Sequence, residues 1–381
     1  MGKKNAIFLC LAVTALVTLG LVMLTSTSIW IESGEKYSML KKQTGFIFLA
    51  ILSAMGVAMI AYRKLRAYWV PMLGVAVVLL IMCYIPGVGQ TINGERRWID
   101  LPVLPTFQPS ELAKIFVVMA LAGWYSHFQT EVQSFFKGFV LPGLVMGIPV
   151  LLIFFEKDMG TAASLGGAGV LVMFVAGARI PYLAGASGIA LGGMALIVWK
   201  NPERMGRVMA IFDLESDKYK FSDGFQQLHG LYAIANGGVE GVGLGNSVEK
   251  LGYLAYAHAD FIFPIIGEEL GLWYTLGTVF CFVLIAVYGI GIAINAKDVF
   301  GRLLAIGLTS IIVVPAMLNI GVCTAVLPNT GLPLPLISYG GTNMLFSLVA
   351  VGLLVSIHRQ TLFVTREEML VIKEKKQCVR I

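Results

Sequence analysis

Charged residues are scarce in this chain: Asp, Glu, Lys and Arg make up 13% of its 381 residues, whereas 57% are hydrophobic. A soluble globular chain carries about 25% charged residues, so this chain has too few to cover a water-facing surface. The mean hydropathy of +0.81 agrees with this balance. The composition excludes a soluble enzyme, a disordered chain and a collagen-like fibre, and it indicates a polytopic membrane protein.

Motifs for nucleotide-driven chemistry are absent as well. The sequence has no Walker-type phosphate loop, no dinucleotide-binding glycine fingerprint and no Cys/His metal pattern, so a lipid substrate or an ion gradient must supply the driving force. The five cysteines lie in apolar blocks or in the basic tail, and we expect no structural disulfide. The net charge of +6 does not indicate nucleic acid, because excess Lys and Arg is typical of the cytoplasmic loops of membrane proteins.

Ten apolar blocks are long enough to cross a bilayer, which takes about 20 residues for about 30 Å of hydrocarbon. They predict an all-α polytopic membrane protein, with about ten transmembrane helices in a single integral membrane domain that covers 1–381. The predicted spans are 6–25, 44–62, 68–85, 111–126, 138–155, 159–178, 181–199, 264–294, 302–326 and 336–357.

Lys and Arg in the short loops predict the orientation. These residues are concentrated in the loops on the same side as the N-terminus, the side that the positive-inside rule assigns to the cytoplasm. Both termini are therefore expected in the cytoplasm, with 358–381 as a basic cytoplasmic tail. The segment 200–263 then becomes one large extracytoplasmic loop, and we expect the functional site to face outward.

Asp260, near the end of this loop, is the strongest candidate for chemistry. It lies at the membrane surface among apolar neighbours, where an ionised carboxylate is costly and its pKa is raised, which suits it to accept a proton from a hydroxyl. The alternative is that Asp260 caps the helix that starts at Phe261. His258 is expected to form hydrogen bonds at the interface. Glu268 and Glu269 lie inside the next span, where charges usually face a cavity or a partner.

Two arginines precede the fourth span. Arg96 and Arg97 stand beside Trp98, and their guanidinium groups could hold a phosphate, because they match phosphate oxygens in geometry. The alternative is an interfacial Trp flanked by arginines that reach to the membrane surface. The residues alone leave both interpretations open.

Polar residues also stand at two predicted helix starts. Ser110 is expected to cap the fourth span, and Glu111 and Lys114 then share one face of it at i, i+3, either as a buried structural pair or as part of a cavity wall. Glu156 and Asp158 flank the start of the sixth span. Carboxylates there suit the helix dipole and favour capping, and the alternative is that they bind a divalent cation or help to line an outer cavity.

The segment 327–341, which we call the proline-rich segment, contains three prolines and three glycines at membrane depth. Non-helical backbone at that depth is tolerated only where it is buried in protein or lines a water-filled cavity. Ser338, Tyr339 and the following Asn343 would be available inside such a cavity. The proline-rich segment is the strongest purely physical indication of a site.

These segments together resemble the SEDS family (shape, elongation, division and sporulation), which includes FtsW and RodA. The resemblance covers nearly the whole chain in the right order, and the wording GLGNSVEKLGYL is closer to the FtsW division branch than to the RodA branch. One departure is Lys157, where the family usually has Pro. The matching stretches are NGERRWI at 93–99, QPSELAK at 108–114, EKDMGT at 156–161, GGVEGVGLGNSVEKLGYLAYAHADFIFPIIGEELG at 237–271, NIG at 319–321 and GLPLPLISYGG at 331–341.

The resemblance implies a SEDS-type bundle and a peptidoglycan glycosyltransferase in the bacterial inner membrane. Such an enzyme polymerises lipid II, an undecaprenyl-pyrophosphate-linked disaccharide peptide, and works with a class B penicillin-binding protein and other divisome membrane proteins. Asp260, in the family's HxDFIF motif, would be the essential carboxylate. The remaining candidates for the substrate site are Arg96, Arg97, Glu111, Lys114, His258, Ser338, Tyr339 and Asn343.

The leaving pyrophosphate of such a reaction needs positive charge. Arg96, Arg97 or Lys114 could provide it, or a bound divalent cation such as Mg²⁺ or Mn²⁺.

Other functions remain open at this stage. A lipid II flippase would use Asp260, Glu268 and Glu269 as gating or coupling groups, since transporters also contain intramembrane acids and broken helices. An elongation polymerase of the RodA type and a scaffold that only binds the divisome are further alternatives. The clustering of polar groups on the outer side, with no matching halves in the sequence, favours the enzyme.

Overall fold

A computed structural model of the chain is a bundle of long helices with one small β-sheet. It describes residues 4–28, 37–92, 95–101, 104–254 and 256–378. Within these ranges, only the backbone is described for residues 92, 95, 100, 101, 104–106 and 363–378. The helices are α1 (Asn5–Ser28), α2 (Ser38–Met59), α3 (Tyr62–Leu65), α4 (Trp69–Met82), α5 (Pro109–His127), α6 (Leu141–Phe155), α7 (Met159–Ala176), α8 (Ile180–Lys200), α9 (Pro202–Ala210), α10 (Phe225–Gly237), α11 (Ile262–Asn295), α12 (Val299–Cys323) and α13 (Gly341–Cys378).

Nine helical stretches in the described residues are long and apolar enough to cross a membrane, with α3 and α4 counted as one and a π-turn included with α6. A further long helix, α5, is less apolar because Glu111 and Lys114 lie in its first turns. It is surrounded mainly by other helices, so few of its side chains need to face lipid. The all-α membrane fold with about ten helices is confirmed.

A three-stranded antiparallel sheet precedes α5 and was not predicted. It consists of β1 (Gly89–Ile92), β2 (Glu95–Leu101) and β3 (Leu104–Phe107), in the order β1-β2-β3. Such short strands carry little periodic signal, and their pairing depends on contacts rather than on local sequence. The pairing of β1 with β2 shifts between Gln90 and Thr91, so Arg97 is an extra residue of β2 between the paired residues Arg96 and Trp98. Arg96 is exposed and Arg97 is partly buried.

The centre of the bundle is formed by α5, α7, α12 and α13, and α8 lies at its periphery with nearly all of its residues partly or fully exposed. Close approach depends on small residues, as is usual for helices in lipid. At Gly307 of α12, for example, a Cβ atom would overlap the side chain of Val118 on α5.

The segment between α8 and α11 is largely ordered, with α9, α10 and a glycine-rich run that packs on α11. The backbone of α11 leaves helical geometry at Gly271 (φ 77°, ψ −170°). Beside this break, the N–H groups of Val242 and Gly243 donate to the carbonyls of Glu268 and Glu269 at 2.9 and 3.0 Å. The glycine-rich run is therefore used for close packing against a broken helix.

Most of the candidate residues lie at one end of the bundle. This end collects the C-terminal ends of α1, α6 and α12 and the N-terminal ends of α2, α5, α7, α11 and α13, together with the sheet. The opposite end has its own contacts, such as the 2.7 Å hydrogen bond that the Tyr62 hydroxyl donates to Asp298.

Candidate functional site

Asp260 lies in the turn that leads into α11. Its main-chain carbonyl accepts a hydrogen bond of 2.7 Å from Nδ2 of Asn319 and a 3.5 Å contact from Sγ of Cys323, both on α12. Nδ2 of Asn319 also donates to the carbonyl of Leu332 at 2.7 Å. The C-terminal end of α12 therefore holds the Asp260 turn and the proline-rich segment together.

The carboxyl group of Asp260 does not cap α11. The N-cap residue of this helix is Phe261, and no side chain accepts a capping hydrogen bond there. In the described structure, Oδ1 of Asp260 is buried and has no hydrogen-bond partner. Burial raises the pKa of the Asp260 carboxyl to about 6, although its own backbone N–H and Arg97 favour the ionised form. Such a group is ionised at neutral pH and suited to accept a proton.

The proline-rich segment supports this turn from the other side. The Ser338 hydroxyl donates to the carbonyl of Ala259 at 2.5 Å, and the Tyr339 N–H donates to the carbonyl of His258 at 2.9 Å. The rings of His258 and Tyr339 meet edge-on at 5.9 Å, and burial lowers the pKa of His258. The predicted residues Ser338, Tyr339 and His258 thus converge on Asp260, largely through main-chain contacts.

One turn of the proline-rich segment lies directly against the Asp260 carboxylate. Gly331 has a φ of 65°, and a Cβ atom there would lie 3.9 Å from Oδ2 of Asp260. A glycine adopts this backbone without strain and leaves the space beside the carboxylate open. Asn343, also predicted for the site, is buried in the first turn of α13.

Arg97 favours ionisation of the Asp260 carboxylate and is itself held in an ion pair. Its Nη1 lies 3.1 Å from Oδ2 of Asp158, which also accepts a 3.4 Å hydrogen bond from Gln108. Oδ1 of Asp158 caps α7 by accepting from the N–H of Thr161 at 2.9 Å, so the capping interpretation holds for Asp158. Arg96 is exposed.

Glu156, two residues before Asp158, is buried with both carboxyl oxygens unpartnered in the described structure. Burial raises the pKa of Glu156 to about 8, and the nearby Asp158 carboxylate adds to this effect. Between them, Lys157 has a φ of 68°, which a proline ring cannot adopt. The turn between α6 and α7 therefore has a backbone that the family's usual Pro would not allow.

Glu111 and Lys114 form a buried ion pair of 2.9 Å on α5. The pair borders a small cavity that is otherwise lined by apolar side chains of α12 and by Phe346 and Ser347 of α13. The structure therefore combines the two interpretations: the residues form a buried ion pair, and the pair also borders a small cavity. Ser110 does not cap α5, because the helix begins at Pro109 and the Ser110 hydroxyl is buried without a partner in the described structure.

Glu268 and Glu269 are engaged in a polar network between α11 and the segment before it. Glu268 accepts hydrogen bonds from the Ser247 hydroxyl, from Nδ2 of Asn236 at 2.9 Å and from the N–H of Val248 at 3.0 Å. Glu269 pairs with Lys250 at 2.5 Å, with both side chains almost fully buried. Ser26 of α1 donates to Glu269 at 2.6 Å. These contacts fit the expectation that acids at this depth face a partner.

Two residues that organise the site were not singled out as candidates. Asn319 was noted only as part of a family motif, and Gln43 of α2 was not noted, although it donates to the carbonyl of Ser338 at 3.4 Å and accepts from the N–H of Gly340 at 3.2 Å. For Asn319 the available signal was a polar amide inside the predicted span 302–326, since buried amides need partners; Gln43 lies just before the predicted span 44–62 and gave no such signal.

The described side chains do not by themselves surround a site for a divalent cation. Mg²⁺ and Mn²⁺ need several oxygen ligands, and no group of three or more His, Cys, Asp or Glu side chains converges within the described part of the chain. A divalent cation therefore stays a prediction, and no step below depends on it.

The family model for cell cycle proteins that carries the names FtsW, RodA and SpoVE matches residues 6–362. A "Probable peptidoglycan glycosyltransferase FtsW" of Thioalkalivibrio sulfidiphilus is 40% identical over 371 residues, 95% of this chain and 91% of the relative. Stage V sporulation protein E of Bacillus subtilis is 34% identical over 94% of this chain and 98% of its own length.

Two solved structures are similar as well. One comes from work on polymerization and crosslinking by a peptidoglycan synthase complex; its matching chain has a TM-score of 0.74 and 27% identity over 93% of this chain and 97% of that one. The other is the rod shape determining protein RodA of Thermus thermophilus, with a TM-score of 0.68 and 26% identity over 93% of this chain and 96% of that one.

Proposed function

Because the chain belongs to the FtsW, RodA and SpoVE family of cell cycle proteins, we propose that it is a peptidoglycan glycosyltransferase of the division branch, which polymerises lipid II into glycan strands. Support comes from the match over nearly the full chain, from the relatives described as FtsW and from the likeness to a chain of a peptidoglycan synthase complex. An elongation role of the RodA type remains the alternative within the family.

The observation that carries the proposal is the unpartnered Oδ1 of the Asp260 carboxylate in the described structure. A GlcNAc 4-hydroxyl is a weak nucleophile, and it attacks C1 of the donor MurNAc more readily when a base within hydrogen-bond reach takes its proton. Oδ1 of Asp260 has no protein partner in the described structure, so it can serve as that acceptor. The main chain of Asp260 is held by Asn319, which fixes the turn and leaves the carboxylate open.

The bond that breaks joins C1 of the donor sugar to the undecaprenyl pyrophosphate, which leaves with its electron pair. Arg97 is placed to offset the charge that develops there, since it lies close enough to Asp260 to favour ionisation of that carboxylate. Arg97 is itself paired with Asp158, but Lys114 and Arg96 are weaker candidates for this role because neither is among the groups that influence the Asp260 carboxyl. Ser338, Tyr339 and His258 position the base.

The membrane placement follows from the same assignment. The enzyme is a multi-pass protein of the bacterial inner membrane, with both termini and the basic tail 358–381 in the cytoplasm and the site on the outer side, where lipid II is polymerised. A class B penicillin-binding protein would crosslink the product, together with other divisome membrane proteins. The charge distribution of the loops supports this orientation.

A lipid II flippase is the second candidate function, and the contacts of the acids argue against it. A coupling carboxylate must change partners or protonation during transport. Glu268 accepts three hydrogen bonds and Glu269 is paired with a buried lysine, an arrangement suited to holding segments in place.

The test is polymerisation of labelled lipid II by the purified chain in complex with its penicillin-binding protein. Wild type should yield glycan strands, and Asp260→Asn should reduce the rate by about 10²–10⁴-fold, the usual contribution of a general base. Asp213→Asn, a change of an exposed carboxylate in the same large segment, is the matched control. Wild-type rates for Asp260→Asn, or transfer of lipid across vesicles without longer glycans, would contradict the proposal.

A further inference from the structure

Glu156 is a buried acid at the edge of the site to which the proposed reaction assigns no task. Its residue is 2% exposed, and neither carboxyl oxygen has a hydrogen-bond partner of regular geometry in the described structure. Nearly all buried polar groups in proteins are hydrogen-bonded, so a carboxyl with two unpartnered oxygens calls for an explanation.

The groups that face Glu156 come from three elements. Cys83 and Tyr84 follow α4, Asp158 caps α7, and Arg97 lies on β2. Burial raises the pKa of both Cys83 and Tyr84 to about 12, so these two groups are uncharged at neutral pH. The Cys83 thiol is close to the Glu156 carboxyl but supplies only a weak hydrogen bond.

The charged neighbours of Glu156 are therefore Asp158 and Arg97. The guanidinium of Arg97 is already paired with Asp158 at 3.1 Å, and the side chain of Asp158 is 2% exposed. An ionised Glu156 would place a second buried carboxylate beside this pair without a cation of its own, which is strongly unfavourable. The geometry therefore favours the neutral acid.

Arg97 links Glu156 to the reacting groups. The guanidinium lies near enough to Asp260 to stabilise its carboxylate, and it also lies near Glu156. A negative charge on Glu156 would compete with Asp260 for this guanidinium, because a close buried charge attracts it strongly.

We propose that Glu156 is a positioning residue that acts as a neutral acid and that, once ionised, draws Arg97 away from Asp260 and from the leaving pyrophosphate. This inference rests on the proposed function for its effect on activity, but the protonation state of Glu156 has consequences for stability that do not depend on any reaction.

Stability supplies the reaction-independent readout. The folded chain holds the Glu156 proton up to about pH 8, whereas the carboxyl of the unfolded chain loses it near its ordinary value of 4.5. The stabilisation is therefore complete below about pH 4.5 and is lost as the pH rises to about 8. Glu156→Gln, which cannot ionise, should not show this loss.

The experiment compares wild type, Glu156→Gln and Glu240→Gln, the last a change of an exposed glutamate. Polymerisation of lipid II by the complex and the thermal midpoint of the purified chain are followed from pH 5 to pH 10. Wild type and Glu240→Gln should lose polymerisation activity at least fivefold above about pH 8. Their thermal midpoints should fall as the pH rises from 5 to about 8. Glu156→Gln should keep its activity to higher pH and have a flatter midpoint profile.

Each outcome decides something. A Glu156→Gln chain with the wild-type midpoint profile and the wild-type alkaline loss of activity would overturn the inference. A well-folded Glu156→Gln chain that is more than tenfold less active than wild type at pH 7 would also overturn the inference. Polymerisation would then require the ionised carboxylate of Glu156. If wild type makes no glycan at any pH, the proposed function fails, and the midpoint comparison still decides whether Glu156 is neutral.

Discussion

The side-chain amide of Asn319 donates a 2.7 Å hydrogen bond to the main-chain carbonyl of Asp260, and not to its carboxylate. The same nitrogen reaches the carbonyl of Leu332 at 2.7 Å. One buried amide thus fixes the positions of the Asp260 turn and the proline-rich segment. The carboxylate remains available for a substrate, which is the arrangement that a general base requires.

Replacing Asn319 with Ala should therefore lower both stability and activity. The change leaves two carbonyls without their donor, at a cost of about 1–3 kcal/mol for an unsatisfied buried group. It also loosens the turn that aims Asp260, so the polymerisation rate should fall further than the folded fraction. Asn295→Ala is the control, since that exposed amide bonds only within its own helix. Equal activity in the two variants would count against a positioning role of Asn319.

The rate of polymerisation should rise with pH through about pH 6. Burial raises the pKa of Asp260 to about 6, so the carboxylate becomes available as a base only as the pH passes this value. The measurement is the initial rate of glycan formation at saturating lipid II between pH 4.5 and pH 7.5. A rate that is constant over this range would show that the titration of Asp260 does not limit the reaction.

The buried pair of Glu111 and Lys114 can be tested as a unit. Glu111→Leu or Lys114→Met alone leaves an uncompensated buried charge and should destabilise the chain by about 3–5 kcal/mol. The double variant removes both charges and should recover most of that loss. The thermal midpoints of wild type, the two single variants and the double variant measure the coupling between the two charges.

Activity then separates two roles of Lys114. A double variant that is stable and active identifies the pair as structural. A stable double variant without activity would instead assign Lys114 or Glu111 to the substrate, in agreement with the cavity that the pair borders.

Gly271 should not tolerate a side chain. Its φ of 77° and ψ of −170° lie in a region that only glycine adopts freely, and a Cβ atom would overlap the carbonyl of Val239. Gly271→Ala should destabilise the chain by more than about 1 kcal/mol. Gly277→Ala in the same helix, where a Cβ meets nothing within 4 Å, should be neutral or slightly stabilising. Similar thermal midpoints for the two variants would argue against the break in α11.

Local sequence was enough to predict the helices. The apolar runs predict membrane helices because a bilayer demands a fixed length of apolar chain, whatever the neighbouring helices are. The three strands were missed, because strand pairing depends on partners that are distant in sequence or hidden in short turns. The break at Gly271 was also outside the reach of periodicity, since its cause is the glycine-rich run packed beside it.

For the charged residues too, local sequence predicts some properties and tertiary contacts decide others. Their types and spacing predicted that Glu111 and Lys114 share a helix face and that Asp260 lies at the membrane surface. Which of them is paired depends on groups brought from elsewhere: Arg97 reaches Asp158 from the sheet, and Lys250 reaches Glu269 from the segment before α11.

The sequence by itself therefore determined a membrane bundle and a short set of candidate residues, because hydrophobic length and residue chemistry are local properties. Only the tertiary structure decided that Oδ1 of Asp260 is unpartnered while its main chain is bound to Asn319, and that neither carboxyl oxygen of Glu156 has a regular hydrogen bond within the described residues. The physical reason is that the burial, pairing and pKa of an ionisable group depend on all the elements packed around it.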